Sequence, residues 1–317
     1  MTLFKQQNAN ALVVDPGSYN CRIGQAIDPV PIYSLDFRDI IQNGTITDPD
    51  EFFDRVMAQD LSLIKQVTKI PFVLAVHRWT PNKILFALAE KIFTKFDTAA
   101  FLPMDLASIY YSNRHQGVFV DVGYNSTRIY SSIEGALSSI CRVGWNIQQL
   151  DQQVAGFFQL NSKELSQLET IKQKYFFCPE NYNQIAQLCQ TSSIYNKKVT
   201  LPDGTNIDLP SHSRFSLYQI PSLFTQNLQK ILGQAQNFSK QPLDVVVVGG
   251  ASLLNNITDK IAVDAVNQVV AARDRKNFAF LGASVWVGSQ VASQEVFGLC
   301  KEDLQDYGEQ VFDRRVW

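Results

Sequence analysis

Ala11-Leu12-Val13-Val14-Asp15-Pro16-Gly17-Ser18, followed after Tyr19-Asn20 by Cys21-Arg22-Ile23-Gly24, reads as a buried strand, a tight turn and a return strand. The same grammar comes back at Gly117-Val118-Phe119-Val120, then Asp121-Val122-Gly123-Tyr124-Asn125-Ser126, then Thr127-Arg128-Ile129-Tyr130. Each block is an apolar strand that ends in Asp-x-Gly and turns back into a second strand. Duplication of such a unit is the most informative pattern in the chain.

The chemistry of these turns is specific. Glycine takes φ > 0 and lets the backbone come close to a ligand, so each turn offers N–H groups to phosphate oxygens. Each aspartate suits the waters of a hydrated divalent cation, which prefers carboxylate and phosphate oxygens. A third element, Asp244-Val245-Val246-Val247-Val248-Gly249-Gly250-Ala251, reads as a buried strand running into a glycine turn on which a base or ribose could rest. One Asp-x-Gly turn alone is most often a plain hairpin. Two of them with the later Gly-Gly, in this order, point to a nucleotide.

Between the blocks the pattern is α/β. Phe72 to Val76 and Ala99 to Leu102 read as strands, Asn82 to Phe96 and Met104 to Tyr111 as helices. Beyond the second block, Ile147 to Phe158, Ser162 to Tyr175, Pro221 to Ala235, Ile257 to Val270 and Phe278 to Val291 read as helices. Val199-Thr200-Leu201 and Ile207-Asp208-Leu209 flank the turn Pro202-Asp203-Gly204.

Bulk properties exclude several classes. The 317 residues are 45% hydrophobic and 18% charged, as in an ordinary globular chain. A net charge of -2 without a basic stripe speaks against direct nucleic-acid binding. No apolar run is long enough for membrane insertion, and Met1 to Asn10 does not read as a secretory signal. Cys21, Cys141, Cys178, Cys189 and Cys300 are scattered, which suits buried thiols in a reducing compartment rather than a disulfide framework. His77, His115 and His212 lack ligand spacing.

With these motifs in place, the layout resembles actin and its relatives, within the superfamily shared with chaperone ATPase domains and sugar kinases. Asp15 to Gly24 looks like the first phosphate loop, Asp121-Val122-Gly123 like the second, and Val248-Gly249-Gly250-Ala251 like the adenosine loop. Gly44-Thr45-Ile46-Thr47-Asp48, Ala107 to Tyr111, Ile133-Glu134-Gly135, Ile171-Lys172-Gln173-Lys174, Leu201-Pro202-Asp203-Gly204 and Leu281-Gly282-Ala283-Ser284 resemble family segments in the family's order. The resemblance implies an α/β, actin-like two-lobed ATPase fold with a duplicated core. Residues 1–114 and 278–317 would form the first lobe, and 115–277 the second (subdomains 3 and 4). It also implies ATP or ADP with Mg2+ as cofactor. The nucleotide would contact Asp15, Gly17, Ser18, Arg22, Asp121, Gly123, Asn125, Lys172, Gly249, Gly250 and Lys276, with Asp15 and Asp121 holding the metal through water. The two hairpins are expected to face each other across a cleft.

Departures from the family pattern bear on function. Only Gln25 to Asn43 joins Gly24 to Gly44, where actins carry the lobe that contacts the next protomer, so subdomain 2 is expected to be missing or vestigial. Arg22 stands where actins have a lysine, Pro16 removes an N–H from the first turn, and Tyr19, Tyr124 and Asn125 replace smaller or acidic residues. Asp105 and Arg128 stand where actins carry the glutamine and histidine that orient the attacking water. Water positioning is most of what a protein contributes to phosphoryl transfer to water. No catalytic residue is assigned, and hydrolysis is expected to be weak or absent.

The reading is a non-polymerising structural or capping subunit of a larger assembly, with a degenerate nucleotide cleft. Its partners would be other protein subunits, with no homofilament. The groove between the helix Gly282 to Val291 and Cys141 to Trp145 would receive partner segments, and Trp317, with Val316 and Phe312, would dock on its own lobe or meet a partner. An intracellular place is implied: cytoplasm or cytoskeleton, with nucleus or an organelle open. The alternatives are a nucleotide-cycling actin-like ATPase of cytoskeletal or chromatin-remodelling type, and a small-molecule kinase with Asp105 as base.

Overall fold

The computed structural model describes residues 10–26, 28–42, 44–64, 67, 70–144, 146–158, 171–200, 204, 206–215, 220–239, 241–261, 266–293 and 298–315. Trp145, Leu201-Pro202-Asp203, Val316, Trp317 and most of the helix expected over Ser162 to Tyr175 lie outside them. The chain divides into two compact units, one made of residues 1–115, 134–137 and 277–317, the other of 116–133 and 138–276.

In the first unit, β1 (Leu12–Pro16) and β2 (Cys21–Gln25) form the hairpin around Gly17. β3 (Tyr33–Leu35) pairs antiparallel outside β2, and the short strands β4 (Ile41–Gln42) and β5 (Thr45–Ile46) form a separate ladder. α1 (Pro49–Met57) starts cleanly because Asp48 accepts a hydrogen bond from the Glu51 N–H and Pro49 lies at its first turn. β6 (Phe72–Val76), α2 (Asn82–Ile92), β7 (Ala99–Pro103) and α3 (Met104–Ser112) follow. The sheet order is β3-β2-β1-β6-β7, with β1, β6 and β7 parallel. β6 is an unbroken apolar run and β1 is one as far as Asp15, as suits strands covered on both faces, and every residue of each is buried.

The second unit repeats this plan. β8 (Gly117–Val122) and β9 (Thr127–Ile133) form the hairpin, and β10 (Ala136–Val143) lies outside β9. Then come α4 (Ile147–Phe158), α5 (Tyr182–Thr191), the β11 (Lys197–Thr200) and β12 (Asn206–Leu209) hairpin, α6 (Ser211–Arg214) and α7 (Ile220–Gln236). β13 (Leu243–Val248), α8 (Ile257–Lys260) and β14 (Val266–Ala271) complete it, in sheet order β10-β9-β8-β13-β14. Both sheets therefore carry a hairpin with a third outer strand on one side and two parallel strands on the other. Each unit also has its own apolar core, around Val14, Phe72 and Leu88 in the first and Val120, Leu228 and Val247 in the second.

One expectation is corrected here. Ile257 to Val270 is not one helix: α8 stops at Lys260, and β14 pairs parallel with β13, Val269 opposite Val245 and Val270 opposite Val246. The β-branched Val269 and Val270 suit a strand beside the valines of β13 better than a helix.

The chain returns to the first unit with α9 (Phe278–Ser293), α10 (Lys301–Tyr307) and α11 (Val311–Arg315). α9 crosses α3 so closely that a Cβ on Gly282 would lie 1.8 Å from the Ala107 carbonyl oxygen. The smallest residue at that crossing lets Phe280, Ala283 and Val287 join Val13, Val73 and Leu102 in an apolar cluster.

Candidate functional site: two Asp-Arg hairpin loops

The first loop is built by the register of β1 and β2, which sets Asp15 opposite Arg22. Arg22 Nη1 donates to Asp15 Oδ2 at 3.1 Å and to the Asn20 carbonyl at 3.1 Å, while Nε donates to Asn277 Oδ1 at 2.9 Å. Both members of the pair are buried, Asp15 at 3% exposure and Arg22 at 8%. The Gly17 N–H closes back on the Asp15 carbonyl at 2.9 Å. A Cβ on Gly17 would lie 2.7 Å from the Asn20 carbonyl oxygen, which is why the turn needs glycine. Ser18 is buried, and the Tyr19 ring lies under the Arg38 guanidinium, 4.7 Å from its centroid. Burial, followed by the Asp15 charge, pushes the neighbouring Cys21 thiol well above its ordinary value, so it stays protonated and inert.

The second loop repeats the arrangement. β8 and β9 set Asp121 opposite Arg128, and Arg128 Nη2 donates to Asp121 Oδ2, again with both residues buried. The Gly123 N–H donates to the Ser126 carbonyl at 3.0 Å. Asn125 is buried, and its carbonyl accepts from Asn146 Nδ2 at 3.0 Å. Tyr124 packs against the core of the second unit. Gly249, at φ 91°, passes so near this loop that a Cβ there would lie 2.4 Å from the Val122 carbonyl oxygen and 2.5 Å from Asp121 Oδ1. Its N–H donates to the Arg275 carbonyl at 2.8 Å, which ties the glycine turn to the segment after β14. Gly250 has open space around it, and Lys276 is exposed.

Two further residues sit where sequence reasoning did not foresee. Lys172 is fully buried, and its ammonium forms an ion pair with Asp151 Oδ1 at 2.5 Å, inside the second unit rather than on an open surface. Asp105, in the first turn of α3, is 1% exposed. It accepts from Arg78 Nε at 3.0 Å and from the Leu106 N–H at 2.8 Å. The partners Arg78, Asn277 and Asp151 carry no local sequence signal. Asn277 lies 255 positions from Arg22, and Arg78 27 positions from Asp105.

Chemically, each loop holds a carboxylate whose charge is already balanced by a guanidinium. Taking both charges of a pair out of water is favourable only when they meet each other in good geometry. Arginine keeps its charge at any accessible pH, so the cationic half of each pair is constant.

A duplicated α/β unit with one Asp-x-Gly hairpin in each copy and a glycine turn after the four-valine strand defines an actin-like fold. No family model matches the chain. Among curated proteins it is similar to actin-related protein 7 of rice, 29% identical over 141 residues, 41% of this chain and 38% of the relative. It is also similar to actin-related protein 7 of Arabidopsis thaliana, 24% identical over 270 residues, 75% of this chain and 73% of the relative. Putative actin-29 of Dictyostelium discoideum is 24% identical over 267 residues, 73% of this chain and 68% of the relative. The match to the rice protein thus spans well under half of that relative's length. These similarities are to actins and actin-related proteins, in keeping with the actin-like fold. Among the described residues, no helix is long and apolar enough to cross a membrane.

Proposed function

We propose that this chain is a non-polymerising actin-related protein that serves as a structural or capping subunit of a larger protein assembly. The observation that carries the reading is the engagement of the two residues standing at the family's water-orienting positions. Asp105 is held by Arg78, and Arg128 is drawn onto Asp121. A side chain fixed in a buried ion pair turns toward an attacking water only by weakening that pair. A buried carboxylate beside a γ-phosphate would also repel it. Catalysis of phosphoryl transfer to water is therefore lost in this reading, and ATP or ADP, where bound, is a structural ligand.

The short connection supports the same reading. Among the described residues from Gln25 to the start of α1 there is one outer sheet strand, β3, and the small β4-β5 ladder. That is too little chain for the lobe with which actins grip a neighbouring protomer, so subdomain 2 is vestigial and no homofilament forms. The partners are other protein subunits, without direct contact to nucleic acid. The setting is intracellular, in the cytoplasm or cytoskeleton.

The competing reading, a nucleotide-cycling actin-like ATPase, draws on the survival of Asp15, Asp121 and Gly249. Sedimentation of the purified chain under polymerising salt and ATP separates the two. The proposal expects the protein to stay in the supernatant at every concentration. Long helical polymers in the pellet would overturn it. Affinity purification with mass spectrometry then identifies the assembly, and a fixed set of stoichiometric subunits is the expected result.

A further inference from the structure

The family resemblance places a hydrated divalent cation at Asp15 and Asp121, and the residues present do not fit one. Each carboxylate faces an arginine at the same register of its hairpin, seven positions further along the chain. We infer that in each loop a guanidinium of the chain itself takes the place of the cation, so that neither loop binds Mg2+ and a polyphosphate held there is held without metal.

The geometry argues this in each unit separately. Mg2+ keeps several of its waters and reaches protein carboxylates largely through them, so it needs an open carboxylate with room for a hydration shell. Asp15 is 3% exposed and Asp121 8%. In the first loop the guanidinium is fixed from three sides, by Asp15, by the Asn20 carbonyl and by Asn277. Its bonded nitrogens face protein acceptors, which marks it as a structural cation. In the second loop the backbone at Gly249 closes on Asp121 so tightly that a single added carbon would lie 2.5 Å from Oδ1. A metal entering either loop would have to expel a buried guanidinium from its carboxylate, leaving a charge out of water without its counter-ion. Arginine is suited to the role because it does not lose its proton and presents a planar fork to the carboxylate. The inference concerns local chemistry and stands or falls apart from whether the chain polymerises.

The test uses the full wild-type chain with Mn2+ as probe, followed by its free-ion paramagnetic resonance signal. Thermal unfolding is measured alongside, in EDTA and in millimolar Mg2+, with and without ATP. The expected result is no saturable Mn2+ site and the same Tm in both conditions; any shift caused by ATP is the same in EDTA as in Mg2+. Arg22→Gln and Arg128→Gln, made singly, are expected to lower Tm and to recover part of the loss on adding Mg2+, because the freed carboxylate then needs a cation. The inference is overturned by a saturable Mn2+ site on the wild type that Asp15→Asn or Asp121→Asn removes, or by an ATP-induced shift that requires Mg2+. Folded arginine variants that stay blind to metal would also sink it. Should those variants fail to fold, the wild-type titration decides.

Discussion

In the first hairpin the guanidinium reaches out of its own loop: Arg22 is anchored to Asn277, at the turn that leads into α9. In the second hairpin the carboxylate is the member covered from outside, by the backbone of Gly249 at the end of β13. The two repeats keep the same ion pair at the same register and close it with different devices. A side-chain hydrogen bond does the work in one, and a close backbone approach allowed only to glycine does it in the other. The pair is therefore the element the two hairpins share, and its surroundings are where they differ.

The largest expected effect breaks the shared element. Asp121→Ala leaves the buried Arg128 guanidinium without its carboxylate and should cost roughly 3–5 kcal/mol, read by urea unfolding. A loss below about 1 kcal/mol would mean that the pair is not structural. The next two sharpen the contrast between the loops. Gly249→Ala forces a side chain into φ 91° and against Asp121 and Val122. It should cost about 2–3 kcal/mol, as strained-backbone substitutions do, and Gly17→Ala, at a turn without positive φ, should cost less. Asn277→Ala removes one charge-assisted hydrogen bond from Arg22 and should cost about 1.5 kcal/mol while leaving the second unit's stability unchanged.

The smallest effect lies on the surface of the first unit, where Arg55 binds Asp39 and Glu51. The hydrogen bond from Arg55 is the leading cause that holds the Asp39 carboxyl below its ordinary value. A depressed carboxylate contributes stability that is present at neutral pH and is lost as pH falls through the carboxylate range. Asp39→Asn should thus cost less than about 1 kcal/mol near neutrality, because the pair is exposed, and nothing in acid. An unfolding series across pH checks both the size and the sign.

Much of this fold was legible in the sequence because its strands are apolar on both faces and end in glycine turns. Phe72 to Val76 and Ile147 to Phe158 have the boundaries expected of them, and the duplicated hairpins appear as two sheets of matching order. The segment from Ile257 misled because its apolar spacing satisfies a helix and its valines satisfy a strand; pairing with β13, a long-range contact, decided it. The site was legible in its residue types and not in their partners. Asp15 and Arg22 are near in sequence, and a hairpin sets them opposite each other. The Arg78 that holds Asp105, the Asn277 that holds Arg22 and the Asp151 that holds Lys172 come from other elements, and no periodicity links such residues. Lys172 is an example: its pairing with Asp151 joins residues 21 positions apart, and nothing in its own segment points to that partner.

The proposal that catalysis is lost while an actin-like fold is kept rests on the engagement of Asp105 by Arg78 and of Arg128 by Asp121. Phosphate release from ATP by the purified chain, measured in Mg2+ at concentrations where actin would assemble, tests it most directly. Release by the wild type is expected to be indistinguishable from a protein-free control. Stoichiometric release by the wild type that tracks the appearance of pelletable polymer would contradict it.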